Sequence, residues 1–204
     1  MRIFRVKMIK EIAKIGVLAS IVTVFAMNIC NAEDKFDLSG TYKEAIRFTE
    51  EGDHAKAGEK LDAIMEYEVA KEYSQKGMLA YIFGNYEEAL ELYNKALKIN
   101  PKMWGVYGYK AYALSDLGRD EEGFTLLNKA INDCQDDIAK GELYLASGRI
   151  EISKGKNKEA LKSFAEGLKL DAKNEGLQIG VIEALAGISQ ENGAIKKGEG
   201  GIDV

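Results

Sequence analysis

Residues 84–101 read Gly84-Asn-Tyr-Glu-Glu-Ala-Leu-Glu-Leu-Tyr-Asn-Lys-Ala-Leu-Lys-Ile-Asn-Pro101, and the spacing inside this stretch decides the fold. Ala89, Leu90, Tyr93, Ala96 and Leu97 fall on one stripe of a 3.6-residue helix, while Glu87, Glu88, Glu91, Asn94, Lys95 and Lys98 take the other face. The acids come early and the lysines late, which suits the helix dipole at both ends. Gly84-Asn85 breaks any preceding helix. Asn100-Pro101 ends this one, because proline cannot donate the next hydrogen bond.

The pattern returns at 118–135 and 155–172, with a faded copy at 52–69, and the starting glycines stand 32, 34 and 37 residues apart. A period in that range predicts stacked helical hairpins rather than a single globular core. A second helical stretch precedes each glycine: 39–51, 72–83, 106–117 and 142–154. Each unit is therefore helix, glycine turn, helix. Small residues such as Ala89, Ala96, Ala160 and Gly167 stand where the two helices must approach closely. A hairpin of this size cannot bury its apolar stripe alone, so its neighbour must cover it.

These residues resemble the tetratricopeptide repeat (TPR) family. The copy at 70–103 is similar to its pattern through Gly77, Ala89, Tyr93, Ala96 and Pro101, with Ala80 where a large residue is usual. The copy at 104–137 carries Tyr107, Ala111, Leu114 and Ala130, but has Gly123 where alanine is expected. The copy at 141–174 offers Tyr144, Gly148, Ala160, Phe164 and Gly167, with Ala172 in place of proline. A degenerate copy at 36–69 keeps Ala45, Phe48, Ala57 and Leu61. The resemblance implies an all-α, right-handed superhelix over 36–174, with about three clear hairpins and one degenerate N-terminal hairpin. Residues 175–190, with Leu177, Ile182, Leu185 and Ile188 apolar, read as a capping helix over the last repeat. Residues 191–204, rich in glycine, read as a disordered tail.

In such proteins the first helix of each pair lines a concave groove. Carried onto this chain, the resemblance implies a surface from Lys71, Ser74, Gln75, Met78, Tyr81 and Ile82. It continues through Gly105, Gly108, Tyr109, Tyr112, Ser115 and Asp116, then Glu142, Leu145, Ala146, Arg149, Ile152 and Ser153. The candidate partner contacts are Lys71, Gln75, Met78, Tyr81, Tyr109, Tyr112, Glu142 and Arg149. Tyrosine combines apolar area with a polar tip, which suits a binding surface. The competing role for Tyr81, Tyr109 and Tyr112 is packing between hairpins, and Trp104 reads as a packing anchor. The matched lysine, asparagine and arginine set that holds a peptide's terminal carboxylate in some TPR domains is absent, which disfavours a chaperone-tail binder.

The first 32 residues differ in kind. Arg2, Arg5, Lys7, Lys10 and Lys14 precede an uncharged run from Ile15 to Ala32, after which Glu33-Asp34-Lys35 begins abruptly. A basic start, a short apolar stretch and a small-x-small end, Cys30-Asn31-Ala32, are the parts of a signal peptide cut after Ala32. Met8 is an alternative start that gives a more usual length. The alternative to cleavage is an uncleaved membrane anchor, since the run is about as long as a bilayer span requires. Ile29 stands where a lipoprotein signal needs a small residue, so lipidation of Cys30 is not expected. Either way the flanking positive charge holds that end in the cytoplasm, and the repeats are expected outside it, in a bacterial-type periplasm or beyond.

Without the leader, 23 basic and 32 acidic residues leave a net charge of −9, which repels phosphate backbones and argues against nucleic acid. Cys134 is then the only cysteine, so no internal disulfide or thiolate metal site is expected, and it reads as a part-buried helix residue. His54, the only histidine, falls in a turn, and no nucleophile–base set or glycine-rich phosphate loop occurs. Asp120-Glu121-Glu122 and Asp136-Asp137 are acidic helix starts. The expectation is a non-enzymatic protein without cofactor or metal, an exported module that binds a protein or peptide in a tyrosine-rich groove. The alternative is a structural scaffold or self-associating subunit of a cell-envelope complex.

Overall fold

The computed structural model describes residues 36–199. The leader and the last five residues, including the expected cleavage site and the end of the expected tail, lie outside them. Among the described residues there are eight helices and no strand. They are α1 Leu38–Glu50, α2 His54–Ile82, α3 Tyr86–Ile99, α4 Trp104–Asp116, α5 Asp120–Asp133, α6 Asp137–Ser153, α7 Asn157–Leu170 and α8 Glu175–Glu199.

Four turns are built alike. Gly52, Gly84, Gly118 and Gly155 have φ between 72° and 80°, a region that residues with a Cβ enter only at a cost. At the second of them the Gly84 amide donates to the Tyr81 carbonyl and the Asn85 amide to the Ala80 carbonyl, at 2.9 Å each. The same pair of bonds recurs at Gly52-Asp53, Gly118-Arg119 and Gly155-Lys156. This double bond satisfies the last carbonyls of one helix while the chain turns into the next.

Each helix packs on its neighbours in sequence, and α4 also packs on α6 and α6 on α8. The second helices α3, α5 and α7 make no comparable contacts with one another. The layer of first helices is therefore the tighter one, so the stack is concave on the first-helix side. Small residues permit this: a Cβ on Gly108 of α4 would lie 3.4 Å from that of Ala146 on α6.

The core is a series of clusters, each bridging two hairpins. The first gathers Ala70, Ala89, Tyr93, Val106 and Leu114. The second gathers Ala111, Leu127, Ala130, Leu143 and Ile150. The third gathers Leu145, Ala160, Phe164, Leu177 and Ala184. Cys134 is fully buried, and burial pushes its thiol up. Trp104 is half-buried, stacked on Tyr107 at 5.7 Å against the second cluster.

Three expectations differ from what is observed. The copies at 36–69 and 70–103 are not separated: α2 runs unbroken for 29 residues. Between Ile64 and Glu72 the chain reads Met-Glu-Tyr-Glu-Val-Ala-Lys, with no glycine, proline or asparagine to stop a helix. At the other end α8 continues past Gln190 to Glu199, so that 191–199 are helical rather than tail. The expected cap also packs by different residues. Leu177 and Ala184 are buried, while Ile182 is 66% and Leu185 50% exposed, because a helical face centred on Leu177 and Ala184 turns those two outward.

Candidate partner-binding groove

The first helices of successive hairpins are the C-terminal half of α2, then α4, α6 and α8, and polar side chains link them one to the next. Tyr81 of α2 is half-buried and donates to Asp116 Oδ2 of α4 at 2.6 Å. Burial first, and this carboxylate second, push the Tyr81 phenol well above its ordinary value, with Tyr112 close enough to add to the effect. Its ring meets Tyr86 at 5.4 Å in a tilted contact.

Tyr112 of α4 stands one turn before Asp116. Burial pushes its phenol up, opposed by the nearby Arg149 guanidinium, and Glu142 adds to the rise. Arg149 and Glu142 both belong to α6, so three candidates from two hairpins converge at one place. Glu142 in turn accepts from Asn174 Nδ2 at 2.6 Å, and Asn174 Oδ1 accepts the Leu177 amide at the start of α8. A line of phenol, carboxylate, guanidinium and amide groups thus crosses the concave layer from α2 to α8.

The remaining candidates take different places. Gln75 is exposed and Met78 half-buried on the same face of α2. Lys71 Nζ lies 5.8 Å from the centre of the Tyr67 ring, a cation–π contact within its own helix. Tyr109 is apart from the line: its ring stacks at 6.3 Å on the fully buried Tyr93 and packs into the first cluster. Asn174 was not among the sequence candidates. Its signal was its place before a helix start, where asparagine caps, but that says nothing about the side chain's second bond.

The convex side carries a different feature. The splayed α3 and α5 leave a cleft lined by Glu87, Leu90, Glu91, Lys110, Leu114 and Arg119, among others. Lys110 is held below its ordinary value by burial and by Arg119. Among the described residues no three His, Cys, Asp or Glu side chains are placed to hold a metal ion, and no helix is long and apolar enough to cross a membrane.

Fold and surface together define an α-helical repeat protein whose first helices face a concave, polar-aromatic groove. Within it, residues 70–103 and residues 141–174 each match the tetratricopeptide repeat. The chain is 26% identical over 149 residues to the Hsp70-Hsp90 organizing protein of Triticum aestivum, covering 73% of this chain and 25% of that protein. It is 31% identical over 109 residues to the DnaJ homolog subfamily C member 7 of Homo sapiens, covering 53% and 22%. With the Hsp70-Hsp90 organising protein of Plasmodium falciparum it shares 31% over 125 residues, covering 61% and 47%. Each match spans less than half of the relative's own length. Among solved structures, the first TPR domain of the human RPAP3 protein superposes with a TM-score of 0.51 at 19% identity, covering 61% of this chain and 96% of that domain. At that identity the likeness is one of fold.

Proposed function

We propose that this chain is an exported interaction module that binds a segment of another protein in the concave groove. The observation that carries this reading is the convergence of Tyr112, Arg149 and Glu142 beside the Tyr81–Asp116 pair. It is a preformed surface on rigid helices, with Arg149 exposed at its edge and Gln75 and Met78 continuing it. Such a surface offers aromatic area together with fixed donors and acceptors, the combination that dominates protein interfaces. Several relatives are named for organising Hsp70 and Hsp90, which supports reading this chain as a protein-binding module. Here Gly105, Gly108 and Tyr112 stand where a lysine–asparagine clamp for a terminal carboxylate would sit. The occupant favoured by this surface is therefore an internal segment that buries apolar side chains against tyrosine.

The groove is tested by Arg149→Ala combined with Gln75→Ala. Both residues are exposed, so helicity should be unchanged. Affinity for a partner recovered from the envelope fraction should fall by about 1 kcal/mol or more, roughly fivefold. Unchanged affinity with the fold intact would remove the groove from the account. Export is tested by the intact mass of the mature protein, expected to match residues 33–204. A protein found only in the cytoplasm would contradict it.

A further inference from the structure

The long helix α2, with its C-cap residue Phe83, carries an apolar seam that no other described residue covers. Met65, Val69, Leu79 and Phe83 are 58%, 43%, 52% and 77% exposed, and between them Glu72 and Lys76 form an ion pair at 2.6 Å. At 100° per residue these six lie within about 80° of arc. Neither neighbour reaches them: α1 meets the side of Ala57 and Ile64, and α3 the side of Ala70, Gly77 and Ala80. In the later hairpins the same face is where the preceding hairpin stacks. One period on, Val106 and Ala113 of α4 are 2% and 0% exposed, and Leu143 and Ile150 of α6 are 1% and 2%. Because α2 runs unbroken, no separate preceding hairpin among the described residues fills this place.

We propose that a second copy of this chain fills it, its own α2 lying antiparallel across the seam about a two-fold axis. The six residues are spaced by steps of four, three, four, three and four, the alternation of a coiled-coil seam. Centred on residue 74, an antiparallel pairing sets Met65 against the second copy's Phe83, Val69 against its Leu79 and Glu72 against its Lys76. Two-fold symmetry repeats each pair in reverse. Each of these four apolar residues meets an apolar one, and Glu72 and Lys76 each meet their opposite charge. The seam from Met65 to Phe83 runs for about 27 Å. Another uncovered apolar face among the described residues, Ile179, Ile182 and Leu185 on α8, fits less well: the exposed charges beside it are the acids Glu175 and Glu183, which leave Glu72 unmatched. The seam is separate from Met78, Tyr81 and Tyr112, so the dimer does not depend on the groove.

Sedimentation of the full-length chain in mild detergent, over a concentration series, tests this. The wild type should reach twice the monomer mass and stop there. Glu72→Lys and Lys76→Glu should each weaken association about tenfold or more, and so should Phe83→Asp, all with unchanged helicity. The double exchange E72K/K76E should restore the dimer, because both ion pairs are rebuilt with signs reversed. Four results would overturn the proposal: a monomer at every concentration, a size that grows without limit, association indifferent to Glu72→Lys and Phe83→Asp, or failure of the double exchange to restore it.

Discussion

The Tyr81 hydroxyl donates a 2.6 Å hydrogen bond to Asp116, 35 residues away, and so ties the first helix of one hairpin to the first helix of the next. The bond fixes the spacing of the concave layer at the point where Tyr112 and Arg149 converge. Tyr81→Phe and Asp116→Ala should each cost about 1 kcal/mol. A double-mutant cycle by urea unfolding should give a coupling of about 0.5–1.5 kcal/mol. A coupling near zero would mean the two side chains act independently.

Alkaline pH should expose two phenols at once. Burial raises Tyr81 and Tyr93 above their ordinary value, so both stay protonated in the folded state where the unfolded chain has begun to ionise. Their stabilisation is complete below the unfolded phenol value, about 10, and is lost as pH climbs above it. The Tyr93 hydroxyl is buried without a hydrogen-bond partner. Tyr93→Phe should therefore leave stability at neutral pH unchanged, or raise it by up to about 1 kcal/mol, and flatten the alkaline fall seen by thermal melts.

Helix contacts inside the hairpins are matched pair by pair. A Cβ on Gly77 would stand 2.7 Å from the Tyr93 ring, so the aromatic on the second helix demands a glycine on the first. In the next hairpin the sizes are exchanged: Ala111 takes the place of Gly77, and Gly123 sits where alanine is usual, 3.2 Å from the Ala111 carbonyl oxygen to its would-be Cβ. Gly123→Ala alone should destabilise by about 1–3 kcal/mol. Combining it with Ala111→Gly should recover none of that loss in denaturant titrations, since the crowding atom is the carbonyl oxygen of residue 111, which glycine keeps.

The turn between α7 and α8 is shaped for a proline that it lacks. Asp171 has φ −133° and ψ 84°, and Asn100, which precedes Pro101, has φ −127° and ψ 95°. Lys102 donates its amide to Asn100 Oδ1 at 3.0 Å, and Lys173 donates to Asp171 Oδ1 at 3.2 Å. Ala172→Pro should accordingly raise stability by about 0.4–1 kcal/mol, read as a higher melting temperature. A loss would show that residue 172 departs from the Pro101 geometry.

Periodicity made the hairpins legible because glycine turns and a 3.6-residue stripe are local signals. Gly84 to Pro101 carries both, and α3 lies between them. The fusion of α2 was harder to foresee. A repeat period suggests a break near residue 69, but nothing from Met65 to Lys71 enforces one, and local helix propensity prevailed. The groove residues were partly legible. Spacing set Tyr81, Tyr112 and Arg149 on first helices, yet spacing says nothing about which phenol turns inward. Tyr109, three residues from Tyr112, stacks on Tyr93 instead. The bond from Asn174 to Glu142 spans 32 residues and depends on how one hairpin seats on the next, which no local pattern encodes.

The central claim is that partners occupy the concave layer. A photo-crosslinking residue placed in turn at Gln75, Met78 and Arg149, and at Glu91, Thr125 and Lys129 on the convex helices, measures it directly in the living cell. The account predicts one common adduct from the first three sites and none of it from the last three. The same adduct arising from Glu91, Thr125 and Lys129, with the concave sites silent, would contradict it.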